Sequence, residues 1–130
     1  MKSIQLNDVR VLVADDSADT QYLFRRILVK AGAQVEVASN GREAVEKALA
    51  GDFDIIVMDF EMPEMDGAAA TEALRSQDFS KPILIVSAHP AGDIRQRCLN
   101  SGAQNFLSKP VDRQKLVAMV ESLMDARLVE

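Results

Sequence analysis

The sequence predicts an α/β fold, a doubly wound parallel sheet with helices on both faces. Three observations lead there. Short apolar runs at Val9, Val11, Leu12 and Val13, at residues 55–58 and at residues 83–86 have the length and pattern of strands buried on both sides. Segments of helical period separate them, so strand and helix alternate along the chain. Each run also ends in polar side chains, Asp15-Asp16, Asp59 and Ser87. Ligands of open α/β sheets bind just outside the carboxyl ends of the strands, which makes these side chains candidates for a site.

In chain order, the first strand is expected over residues 9–14. Ser17 or Asp19 caps a helix running to about Ala31, with Phe24, Ile27, Leu28 and Ala31 on one face, and Gly32 stops it. Residues 34–38 alternate as a second strand. Asn40 and Glu43 have the spacing of a capping box and open a helix with Ala44, Val45, Ala48 and Leu49 on one face; Gly51 ends it. The central strand, 55–58, leads directly into Asp59. Asp66 caps a third helix through about Ser76, whose opening Gly67 and three alanines offer a small-residue surface for close approach. Pro82 is tolerable at the first position of a fourth strand, 83–86. A fourth helix over 92–101 turns Ile94 and Cys98 inward and Asp93, Arg95, Gln96 and Asn100 outward, with Gly102 as its stop. Residues 105–107 form a short fifth strand before Lys109-Pro110. Asp112 then caps a last helix whose Leu116, Val120 and Leu123 face the core.

A chain of 130 residues that is 48% hydrophobic is expected to fold as one domain, residues 1–130 with a core of about 9–124. Its net charge of −5 argues against a nucleic-acid surface. Cys98 has no second cysteine to pair with, and in a helical pattern it fits a buried structural thiol. Neither a secretory signal nor a stretch of membrane-spanning length is visible, so a cytoplasmic protein without membrane partners is expected.

If the first and third strands are neighbours, Asp15, Asp16 and Asp59 converge at one edge. Like unit charges about 4 Å apart repel by on the order of 4 kcal/mol at an effective dielectric near 20. Such a cluster needs a proton or a cation, and Mg²⁺ is the hard ion typically held by a few carboxylates, waters and a phosphate. Ser87 and Lys109 add a hydroxyl and an ammonium to the same rim. Taken alone, Asp59 fits a strand terminator or a cap equally well. His89 fits an exposed loop residue better than a catalytic one, Met58, Met62 and Met65 fit packing better than ligation, and Asp66-Gly67 fits a cap and turn.

The ordered set Asp15-Asp16, the 58–67 block Met-Asp-Phe-Glu-Met-Pro-Glu-Met-Asp-Gly, Ser87-Ala88 and the 106–110 run Phe-Leu-Ser-Lys-Pro resembles the receiver domain of two-component response regulators. The resemblance spans residues 9–124. It implies a flavodoxin-like sheet of strand order 2-1-3-4-5 and a cis Lys109-Pro110 bond. It implies Asp59 as phosphoacceptor, taking a phosphoryl group from a phosphohistidine. Asp16, Asp59 and the backbone carbonyl of Glu61 match the Mg²⁺ ligands, and Asp15 matches an acid that binds through water. Lys109 matches the phosphoryl-pairing lysine and Ser87 the switch hydroxyl, where many members have threonine. Phe106 matches the aromatic rotamer switch, here without a phenol. Ala88 is small and leaves room for the donor, while Glu61 and His89 fall at positions that tune dephosphorylation.

The implied partners are a histidine kinase or histidine phosphotransfer protein and a downstream effector on the helix 4, strand 5 and helix 5 surface. Whether that surface also makes a phosphorylation-dependent homodimer stays open. No output segment is visible. The runs Lys-Pro-Val-Asp-Arg-Gln-Lys-Leu and Ala-Ser-Asn-Gly-Arg-Glu-Ala resemble receivers of hybrid sensor kinases and favour that origin over a stand-alone regulator. The chain is expected to be no enzyme beyond its own phosphorylation and dephosphorylation. Two competitors are weaker. A haloacid-dehalogenase-type phosphatase would carry a second Asp two residues after the first strand's nucleophile, where Ser17 stands. A degenerate receiver acting only as an interaction module would not need the full acid, hydroxyl and lysine set.

Overall fold

A computed structural model describes residues 6–89 and 92–129, with side chains through Asp125. Five strands, β1 (Arg10–Ala14), β2 (Gln34–Ala38), β3 (Ile55–Asp59), β4 (Ile83–Ser87) and β5 (Asn105–Ser108), alternate with five helices, α1 (Ala18–Lys30), α2 (Gly41–Ala50), α3 (Gly67–Ser76), α4 (Gly92–Asn100) and α5 (Arg113–Val129). All pairings are parallel, in the order β2-β1-β3-β4-β5. β1 and β3 are therefore neighbours, and Ala14 pairs with Met58. Their acidic carboxyl ends share one edge.

The period-2 geometry of the strands splits the apolar side chains into two cores. Leu12, Ile56, Met58, Ile83, Ile85 and Phe106 point to one face, beneath Ala44, Ala48, Ala68, Ala70, Leu74 and Cys98 of α2, α3 and α4. Val11, Val13, Ile55, Val57, Leu84 and Val86 point to the other, beneath α1 and α5. β3 and β4 are buried along their whole length, as their unbroken apolar runs require.

The helix starts follow the sequence closely. Ser17, and not Asp19, caps α1, its hydroxyl accepting from Thr20 N–H. Asn40 Oδ1 accepts from Glu43 N–H at 2.7 Å, while Glu43 reaches back to the N–H of Ser39, one residue before the cap. Asp66 accepts from Ala69 N–H and Asp112 from Lys115 N–H, both at 2.8 Å. Gly32 and Gly102, at φ +108° and +111°, end α1 and α4 in the left-handed conformation that glycine adopts at no steric cost.

Two expectations need correcting. Val9 lies outside β1, which starts at Arg10, where the backbone N–H donates to Asp54 Oδ2. Leu49 is 42% exposed and stands off the core. The Ala44–Ala48 row faces the sheet, and the row beside it, half-buried Val45 followed by Leu49, runs out to solvent at the far end of α2.

Gly67 fixes how α3 leaves the site. A Cβ there would lie 2.6 Å from the Asp59 carbonyl oxygen and 3.0 Å from Phe60 Cα. Gly67 N–H also donates to the Phe60 carbonyl at 3.0 Å, closing the 60–66 loop against the end of β3. Gly67→Ala should therefore push backbone against backbone and destabilise the fold by about 1–3 kcal/mol, the usual cost of forced overpacking. Urea denaturation checks this, with a lowered midpoint and an unchanged m-value expected.

Candidate functional site

The rim is built by strand ends. β3 delivers Asp59, 4% exposed, and the residue after β1 delivers Asp15, 2% exposed, with Asp16 turned to solvent beside it. One oxygen from each of Asp15, Asp16 and Asp59 lies within 4.8 Å of the other two. Asp15 is fixed from three sides: its backbone N–H donates to the Ala38 carbonyl, its Oδ1 accepts from Ser17 N–H at 2.8 Å, and its carbonyl accepts from the Gln21 amide.

Lys109 reaches in from the opposite side. Its ammonium donates to Asp15 Oδ2 at 3.2 Å and lies 3.1 Å from Asp59 Oδ1. The Asp59 contact is a buried ion pair, and beyond Lys109 no hydrogen-bond donor reaches Oδ1 among the described residues. The lysine is aimed by its backbone: Lys109 N–H donates to the Ser87 carbonyl at 2.7 Å, and the following bond to Pro110 is cis, as the resemblance implies.

Burial, followed by the Asp15 charge, pushes the Asp59 carboxyl from its ordinary 3.8 up to about 7, against the pull of Lys109. Burial works against the charged form of Lys109 as well, yet Asp59 and Asp15 outweigh it and raise its pKa. The three strand-end carboxylates, with that of Glu61 acting on Asp59 beside them, outnumber the one ammonium and leave an excess of negative charge. The oxygen-only donor set suits a hard divalent cation.

The expected residues fall into two groups. Asp15, Asp16, Asp59, Lys109, Ser87 and Glu61 meet at the rim. Ala88 is exposed and lines a cleft of about 370 Å³ with Thr20, Leu23, Phe24, Lys109 and Pro110. His89 is exposed and enters the site through its backbone, whose N–H donates to Ser87 Oγ at 3.0 Å. Phe106 is not at the rim. It is buried on the α4 side of the sheet, with the Arg95 guanidinium 5.8 Å from its ring centre. Cys98 is buried, and burial pushes its thiol up to about 11, which keeps it protonated and unreactive.

Two features were not foreseen from the sequence. The Glu61 side chain turns back onto β4, accepting from the Ser87 hydroxyl at 2.5 Å and from Ala88 N–H at 3.3 Å. Arg97 of α4 bridges to Asp66 at 2.8 Å and lies 5.6 Å from the Phe60 ring centre, tying α4 to the loop after Asp59. The only advance signal for either was a charged side chain near a loop, which is too common to single out a partner.

A family model described as the response regulator receiver domain matches residues 11–121. The chain is 38% identical over 118 residues to the transcriptional regulatory protein PrrA of Mycobacterium tuberculosis, covering 91% of this chain and 51% of PrrA. It is 34% identical over 116 residues to the sensor protein GacS of Pseudomonas syringae pv. syringae, covering 85% of this chain and 13% of GacS. It thus spans about half, or less, of the length of these relatives. A solved CheX–CheY–BeF3–Mg²⁺ complex from Borrelia burgdorferi superimposes with a TM-score of 0.85 at 31% identity, covering 90% of each chain. No helix among the described residues is long and apolar enough to cross a membrane.

The raised Asp59 pKa makes stability depend on pH with a definite sign. Between the unfolded value and about 7 the folded chain holds a proton on Asp59 that the unfolded chain has lost, so this group's contribution falls as pH rises through that window. Asp59→Asn removes the ionisation. In chelator-treated buffer it should raise stability at pH 8 by on the order of 1–3 kcal/mol, with the gain shrinking towards pH 5. Thermal melts of the two proteins across that range measure it, and an equal gain at both ends would contradict the burial of Asp59 as a charged group.

Proposed function

This chain belongs to the response regulator receiver domain family, and from that premise we propose that it accepts a phosphoryl group from a phosphohistidine onto Asp59 and changes its α4, β5 and α5 surface in response. The observation that carries the reading is the buried Asp59 carboxyl, paired at Oδ1 with the Lys109 ammonium and clustered with the carboxylates of Asp15 and Asp16.

An Asp59 oxygen attacks the phosphorus, the P–N bond to the donor imidazole breaks, and its electron pair stays on the ring nitrogen, which takes up a proton. Only the ionised carboxylate attacks, and Lys109 favours that form by its charge. Lys109 then pairs with the anionic oxygens of the new acyl phosphate, giving up part of its contact with Asp15. The Ser87 hydroxyl is the second donor on the rim. The cleft beside Lys109, between α1 and the segment after β5, gives the donor its way in.

Mg²⁺ is the resident ion in this reading, held by Asp16, Asp59 and the Glu61 carbonyl, with Asp15 through water. It would neutralise charge on the transferring group. The BeF3 and Mg²⁺ named for the Borrelia complex support both halves of this proposal by family membership. The donor is a histidine kinase or histidine phosphotransfer protein and the receiver of the signal an effector on the α4, β5 and α5 face. The chemistry is stoichiometric, with the chain's own carboxylate consumed and then regenerated by water, so no turnover of a separate substrate is proposed.

Incubation with acetyl phosphate followed by intact-protein mass measurement tests this reading. One phosphoryl adduct is expected, dependent on Mg²⁺, labile to hydroxylamine and absent from Asp59→Asn. The lack of any adduct under conditions that trap aspartyl phosphates would leave an interaction module without phosphoryl chemistry.

A further inference from the structure

The rim holds one carboxylate that the transfer itself does not use. Glu61 lies two residues past Asp59, and its side chain folds back across the end of β4. Oε2 accepts from the Ser87 hydroxyl and Oε1 accepts from Ala88 N–H. Among the described residues the Ser87 hydroxyl proton has one close acceptor, because the alternative, the His89 carbonyl, is 3.4 Å away against 2.5 Å for Glu61. The Ser87 hydroxyl and the Ala88 N–H are thus both spent on one carboxylate. They also sit beside the acceptor: Val86, next to Ser87, pairs with Asp59 across the sheet, and Phe60 N–H donates to the Val86 carbonyl at 2.8 Å.

A carboxylate and a phosphoryl group each present anionic oxygens to hydrogen-bond donors. One hydroxyl proton and one N–H cannot serve both at full strength.

We propose that the Glu61 carboxylate is an internal competitor for the phosphoryl group. It occupies the Ser87 hydroxyl and Ala88 N–H in the unmodified chain, and it must swing out before those donors turn to the oxygens on Asp59. This rests on the reading of Asp59 as the acceptor. The Ser87 switch is then loaded in both states, on Glu61 before transfer and on the phosphoryl group after it. Glu61 sets how readily the rim changes from the first state to the second.

Three substitutions separate this competition from a plain charge effect on an anionic donor. Glu61→Ala removes both acceptor oxygens. Glu61→Gln removes the charge and keeps an oxygen for Ser87. Glu61→Asp keeps the charge but is one methylene too short to hold both donors. The rate of adduct formation from acetyl phosphate at saturating Mg²⁺ should rise on the order of tenfold in Glu61→Ala and Glu61→Asp, the scale of one charge-assisted hydrogen bond, and less in Glu61→Gln. A wild-type rate in Glu61→Asp with equal gains in Glu61→Ala and Glu61→Gln would show charge alone and overturn the proposal.

Amide NMR of the unmodified proteins reads the same contact without any transfer. The Ala88 N–H resonance should move in Glu61→Ala and Glu61→Asp, and its failure to move would remove the competitor. If wild type takes the adduct while the variants match it, only the competition falls. If no protein takes it, the acceptor reading fails and the competition falls with it.

Discussion

Three carboxylates and one ammonium at the edge of a parallel sheet are the constraint on which the rest depends. The strand order makes β1 and β3 neighbours, and their apolar runs bury both strands, so the acids that follow them have little freedom to separate. The fold tolerates this in two ways. Lys109 spans Asp15 and Asp59, and Asp59 holds its proton up to about pH 7. Neither balances the cluster at neutral pH, where an excess of negative charge persists. The strain is local and sits where a cation would relieve it, and functional sites are the usual place for a fold to carry unfavourable electrostatics.

The two sides of the rim are built differently. On the β3 side the backbone is tightly enclosed: Gly67 N–H and Met62 N–H both donate to the Phe60 carbonyl, and Gly67 lies directly against the Asp59 carbonyl. Glu64 takes a positive φ of 69° inside this loop, a conformation non-glycine residues hold only when their surroundings impose it. On the β4 side, Ala88 and His89 are exposed and anchored through hydrogen bonds to the Ser87 and Glu61 side chains. A fixed acceptor facing adjustable donors is the arrangement that lets one side respond while the other holds the reacting carboxylate in place.

The elements that the sequence made legible were those specified by local chemistry. Residues 55–58 and 83–86 read as strands because their apolar runs are unbroken, and Ser17, Asn40, Asp66 and Asp112 cap helices because their side chains accept from an N–H three residues on. Asp59, Lys109 and Ser87 were found because each is a polar residue at the carboxyl end of an apolar strand run. Strand order and the cis bond at Pro110 came through family resemblance, since neither periodicity nor turn chemistry specifies them. What stayed hidden depended on distance in sequence and on loop geometry. Glu61 meets Ser87 across 26 positions, and Arg75 gathers the carbonyls of Phe79, Lys81 and Gly102 from two separate connections. Long polar side chains choose partners by where loops end. Leu49 was misplaced for a related reason, because helical period gives a face but not how far the neighbouring layer extends.

The uneven anchoring of the helices bears on how a change at the rim would travel. α3 buries five residues against the sheet and α2, whereas α4 is polar along most of its length and buries Cys98 alone. Among the described residues its other ties include half-buried Ile94 against the core, Arg97 to Asp66, Arg97 over Phe60, and Arg95 over Phe106. Largely exposed ion pairs and cation–π contacts of this kind contribute about 1 kcal/mol or less each. Displacing α4 therefore gives up far less apolar burial than displacing α3 would. Its ties also end on the loop after Asp59 and on the buried ring of β5, while the segment leading into it begins at Ser87. Ser87 and Ala88 thus lie close in sequence to the helix with the single buried residue Cys98, and Arg95 of that helix lies over the Phe106 ring. The polar composition of residues 92–100 thus leaves α4 held to the sheet by less apolar burial than α3.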